Sequence, residues 1–192
     1  MRLRKRKIKY NLGLGLLPLL VVFSCNSLDK DEYKILNTVV DMHIHPEMDT
    51  ARLREMLKMD YPVFIKELNL AKEEMSTMPY TFALSDTIYP VILPASLKED
   101  LHTKLFFSEI EDRSDKPLLA DFNQLKFKKN LKRIPKAVNG ANYIGQFKLH
   151  RVLFDKTKER AYVQIETPLN NYPSFVGIPF KKVKGEWVVG DQ

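Results

Sequence analysis

The sequence predicts an α+β fold, in which N-terminal helices pack on a C-terminal antiparallel β-meander of about four to five strands. Three observations carry that expectation. The length of 192 residues suits one domain, and before Pro46 apolar residues recur at three- and four-residue intervals. Beyond Gly140 the texture changes to alternating apolar runs joined by short turns, and short connections join only antiparallel neighbours.

The elements follow in order. Tyr33, Ile35, Leu36, Val39, Val40 and Ile44 form the apolar stripe of a first helix, which Pro46 ends. Asp29, Asp31 and Glu32 suit its positive N-terminal turn. Residues 51–58 read as a second short helix, and Pro62 opens a third carrying Val63, Phe64, Leu68 and Met75. Tyr80–Ser85 alternates weakly and reads as a strand, stopped by an Asx turn at Asp86. Ser96 with Glu99 has the form of a capping box and predicts a helix over 97–110. Residues 111–117 read as a solvated loop and 118–122 as the start of another short helix. Four strands then close the chain, with Tyr162, Phe175, Phe180 and Trp187 expected to fill the core between sheet and helices.

The net charge of +7 is misleading, because Arg2, Arg4, Lys5, Arg6, Lys7 and Lys9 precede the first acid at Asp29. Without them 25 basic residues face 24 acidic ones, which excludes a globally basic nucleic-acid binder as the default. The apolar run 12–23 has twelve residues and cannot cross a hydrocarbon core of roughly 30 Å. A basic n-region followed by a short apolar h-region is the layout of a secretory leader over residues 1–24.

At the end of that run, Val22-Phe23-Ser24-Cys25 resembles the lipobox of bacterial lipoproteins, and Phe23 resembles the looser form in Bacteroidota. The resemblance implies cleavage after Ser24, acylation of Cys25 and a short tether over 25–32 before a domain at 33–192. It places the protein in the cell envelope, held by lipid and more in the outer than the inner membrane, with an envelope protein, glycan or lipid as partner. The acids at 29–32 also resemble the acidic export signal of Bacteroidota surface lipoproteins, a reading compatible with a helix start.

Two constellations could carry chemistry. Asp41-Met42-His43-Ile44-His45 resembles the Asp-x-His-x-His strand end of amidohydrolase-type metal enzymes, with His102 and His150 elsewhere in the chain. Only 147 residues follow His45, against the ~250 of such a barrel, and on a helix side chains at i and i+2 diverge by about 200°. The other reading places both imidazoles at a helix C-terminus, where they suit the negative dipole end. The basic run Lys126–Lys136 either meets anionic lipid phosphates or forms a solvated loop beside the sheet. No nucleophile elbow, phosphate loop or dinucleotide fingerprint is present, so a non-catalytic role without cofactor or metal is expected, and a metal-dependent hydrolase using His43 and His45 is the alternative.

The phrases Lys148–Asp155, Arg160–Val163 and Gly185–Val189 resemble a family of uncharacterised Bacteroidota lipoproteins, in which a closing Asn-Gly-Lys-Trp hairpin ends the meander. His150 stands where the family has Ser, and Asn170–Ser174 replaces a Cys- and Gly-rich stretch. The family implies a fold and an anchor and transfers no activity.

Overall fold

In the computed structural model the described residues are 28–91, 93, 95–104, 110, 116–169 and 172–190. The expected leader, Cys25, most of the 105–115 stretch and Asn170-Asn171 lie outside them.

Helix α1, Lys30–His43, opens on a full capping box. The Asp29 carboxylate accepts from Glu32 N at 2.8 Å and the Glu32 carboxylate from Asp29 N at 3.1 Å. Its stripe Tyr33, Ile35, Leu36, Val39 and Val40 is buried, and Leu28 is buried as well, so the folded part starts inside the stretch expected to be a tether. Helix α2, Thr50–Met56, is capped by Asp49 and lies against α3, Tyr61–Thr77, whose first turn holds Pro62. Helix α4, Ala95–Thr103, starts one residue before Ser96, so Ser96 sits in its first turn and does not cap it. Among the described residues no helix is long and apolar enough to cross a membrane.

The α+β class stands, but the sheet has more than the expected four to five strands and is mixed. The main sheet has seven strands: β1 (Tyr80–Leu84), β4 (Leu131–Ile134), β5 (Tyr143–Leu149), β6 (Leu153–Phe154), β7 (Arg160–Leu169), β8 (Tyr172–Val183) and β9 (Glu186–Val189). Its order is β4-β1-β5-β7-β8-β9, with β6 also on β7. From β5 onward neighbours are antiparallel, but β1 is parallel to both β4 and β5. Parallel pairing needs a long crossover, and the long excursion from Leu84 to Tyr143 supplies it without any local turn signal. β4 falls inside the basic run expected to be a loop. A second small sheet pairs β2, Thr87–Ile88, with β3, Leu118–Leu119, where a helix was expected. Short apolar runs do not distinguish the two, and Asp121 caps only a 3-10 turn at Phe122–Gln124. At the end of β1 the Ser85 hydroxyl, and not Asp86, takes the Thr87 N–H; the Asp86 carboxylate pairs with Arg133.

The main core lies between α1 and one sheet face, where Phe82, Phe147, Leu149, Val163, Ile165, Phe180 and Trp187 are buried. On the opposite face Leu101 of α4 packs with Leu153 and Tyr162, joined by Val91, Leu93 and Leu97. The expected core aromatics therefore divide: Phe180 and Trp187 meet α1, Tyr162 lies under α4, and Phe175 is 61% exposed. Gly177 makes room for Tyr162, since a Cβ there would stand 2.0 Å from the phenol oxygen.

Candidate functional site

The face of the sheet under α4 carries polar groups that the sequence pattern hides. Lys148 on β5 faces Glu166 on β7, and one pair further along His150 donates its backbone N–H to Gln164 O at 3.1 Å. Alternation along the two strands puts all four side chains on the same face as Tyr162. They line a cleft of about 430 Å³ with Tyr89, Leu97 and Phe175. His150, Gln164 and Glu166 are each 9% exposed. Glu166 is paired with Lys148 Nζ at 2.9 Å, and Gln164 Nε2 reaches the Tyr162 hydroxyl at 3.3 Å. His150 Nδ1 stands 3.1 Å from the Pro90 carbonyl, which can only accept, so Nδ1 carries the proton. Its Nε2 is buried with no partner among the described residues, a state that costs about 1–3 kcal/mol until a ligand or water satisfies it.

Rings frame these groups. The His150 imidazole lies 6.0 Å from both the Tyr89 and Phe175 rings, tilted to each. The cleft thus offers apolar ring faces, an amide, a paired carboxylate and an imidazole nitrogen, a set suited to gripping a polar group on an apolar body. Among the described residues no Ser, Thr or Cys lines it, so it offers no aliphatic hydroxyl or thiol nucleophile. The sequence shows Lys148 and His150, and Gln164 and Glu166, at a spacing of two. That is also the pattern of a solvated strand face, and only the covering by α4 turns it into a site.

The histidines of the Asp-x-His-x-His phrase do come together, at the C-terminal end of α1. His43 is the last helical residue, Ile44 is the C-cap, and His45 is exposed beyond it with Nδ1 3.3 Å from Pro46 O. Both line a second cavity of about 430 Å³ on the α1 side of the sheet, together with Tyr143, Thr167 and Ser174. Among the described residues no three His, Cys, Asp or Glu side chains stand where they could hold a metal ion. Two imidazoles fall one short of the three protein ligands of a catalytic zinc site.

Burial lowers the pKa of His43 below the usual 6.5, and the neighbouring His45 charge adds to that; burial raises the pKa of Tyr143 above 10.0. The sign for stability follows. The unfolded chain takes up a proton near pH 6.5 that folded His43 takes up only at lower pH, so stability falls as the pH drops from 6.5 toward the depressed value. Melting temperature measured between about pH 7 and 5 should therefore decline with a shallower slope in His43→Gln than in the parent. Equal slopes would remove His43 as the source.

Part of the basic run forms a sheet edge, and two of its six cations are paired. Lys128 pairs with Asp41 at 3.3 Å and Arg133 with Asp86, its guanidinium stacked 3.5 Å over the Phe122 ring centre. Lys132 is exposed on β4, the edge of the sheet, where charge discourages addition of a foreign strand. Lys72, Lys128 and Lys129 also line a third cavity, about 690 Å³, at the C-terminal end of α3. There the Asn130 amide donates to the Met75 and Met78 carbonyls and the Ser76 hydroxyl to Glu73 O. The lysines thus face a negative helix end, which already balances part of their charge. No protein-family model, curated protein or solved structure matches this chain.

Proposed function

We propose that this chain is a lipid-anchored lipoprotein of the cell envelope that serves as a binding or assembly module, with the cleft under α4 as the surface that receives its partner. One observation carries the binding role: three buried polar side chains, His150, Gln164 and Glu166, converge in a cleft open to solvent beside the exposed Phe175 ring. Buried polar groups are costly in a sheet that needs only packing, so their gathering at one opening favours recognition over stability. The anchor rests on Cys25 and the leader before it. Two or more acyl chains, at about 0.8 kcal/mol per buried methylene, would hold the domain at the membrane and confine its partner to an envelope protein, glycan or lipid.

The test has two parts. Intact mass of the membrane-extracted protein should match the acylated chain from Cys25 onward and lose the lipid in Cys25→Ala. A photo-crosslinking residue at position 175 should then give one reproducible adduct in intact cells, reduced at least tenfold by Gln164→Ala, while the same residue at exposed position 57 gives none. An unacylated mass would remove the anchor, and equal labelling from both positions would remove the cleft.

A further inference from the structure

The cavity at the end of α1 lies on the opposite sheet face from the α4 cleft, and its chemistry is different. Among the described residues, His43 Nε2 and the Tyr143 hydroxyl are both buried with no hydrogen-bond partner, and both side chains line this cavity. Native proteins pair nearly all such atoms, and two exceptions lining one cavity call for a common cause. We propose that this cavity is a second binding site, and that it takes a small uncharged molecule bearing an amide.

The absence of net charge follows from the walls. No Lys or Arg lines the cavity among the described residues, and the one carboxylate, Glu47, is exposed at the rim. An anion would meet no buried cation and would be repelled by Glu47; a cation would be desolvated without a buried carboxylate beside it. His43 itself is held neutral by burial. Tyr143 is held as the phenol, so its O–H is a donor in need of an acceptor. His43 Nε2 accepts from an N–H if it is bare and donates to a carbonyl if it carries the proton, and an amide meets either tautomer. An amide carries its acceptor and its donor on different atoms, so one neutral group can meet the Tyr143 hydroxyl and His43 Nε2 together. Thr167 and Ser174, directly paired across β7 and β8, add hydroxyls, and Phe147 and Val176 supply an apolar wall for the rest of the ligand. The volume of about 430 Å³ falls within the range of ordinary ligand pockets.

Tyr143→Phe separates a ligand site from a structural accident, because deleting an unpaired buried hydroxyl without changing the ring relieves the free protein. The full chain in detergent should show the His43 and Tyr143 NMR signals shifting to saturation with N-methylacetamide and 2-pyrrolidinone. Acetate and methylammonium, of similar size, should bind at least tenfold more weakly. Tyr143→Phe should melt about 2–4 °C higher and bind the amides at least tenfold more weakly. Failure of the amides to shift either signal, equal binding of the charged probes, or unchanged affinity in Tyr143→Phe would each overturn the proposal.

Discussion

Glu32→Ala is expected to lower the stability of the folded chain by about 3–5 kcal/mol. The carboxylate is 1% exposed and takes Arg151 Nε on Oε1 at 2.9 Å and Nη2 on Oε2 at 3.4 Å. Arg151 is itself 7% exposed and comes from the segment between β5 and β6, so the pair ties the first turn of α1 to the middle of the sheet. Truncating Glu32 leaves a guanidinium buried without its counter-charge, and the same change takes away the capping-box bond to Asp29 N. Neutralising both partners is a different experiment. In Glu32→Met/Arg151→Met no charge remains to be desolvated, and most of the loss should return, leaving a deficit nearer the ~1 kcal/mol of a lost cap. Urea unfolding of the two single variants and the double variant closes the cycle. A single-variant loss below about 1 kcal/mol, or a double variant as unstable as the sum of the singles, would mean that the pair is not a buried unit.

Glu32 also shows how far the sequence could be read. The acids at 29–32 were legible as a helix start because capping and the dipole act within one turn, and a stripe at helical spacing follows at once. The bond of Glu32 to Arg151, 119 positions away, leaves no local trace. The same limit separates the strands from their pairing. Alternation marked β7, β8 and β9, which pair antiparallel with their neighbours in sequence, whereas the parallel placement of β1 between β4 and β5 joins strands far apart in the chain and has no local signal. The cleft was hidden for a related reason. Lys148, His150, Gln164 and Glu166 have the spacing of an ordinary wet face, and what makes them a site is Leu97 and Leu101 of α4 closing over that face. His43 and His45 were visible as chemistry-bearing residues, and of the two readings of the phrase the chain adopts the helix C-terminus, with His43 as the last helical residue. Their neighbours there are Tyr143, Thr167 and Ser174, from strands a hundred or more positions later.

Gly145→Ala is expected to cost about 2–5 kcal/mol, and its cause is the bulge where β5 meets β1. Thr81 on β1 faces Tyr143 and Ala83 faces Gln146, so β5 carries an extra residue against β1 at this point. The irregularity lets Ile144 and Phe147, three positions apart, both lie against the α1 core, which strict alternation would forbid. Beyond it β5 resumes register with β7 and delivers Lys148 to the α4 side. Gly145 takes φ +125°, a region that side chains rarely enter, and a Cβ added there would stand 2.2 Å from Cγ and 2.7 Å from Cβ of Pro168. A proline ring inside a strand cannot swing aside as the tip of a long side chain can, so either β5 loses the bulge or β7 moves away. Both responses displace Tyr143 or Thr167 in the cavity at the end of α1, and amide binding there should weaken together with stability. Gly140→Ala is the matched control: a Cβ at 140 meets nothing within 4 Å, and its cost should stay within about 0.5 kcal/mol. Similar losses at the two positions in urea unfolding would show that the bulge is incidental. A large loss at 145 alone, with the α4 cleft still crosslinking through position 175, would show that the bulge shapes one binding face independently of the other.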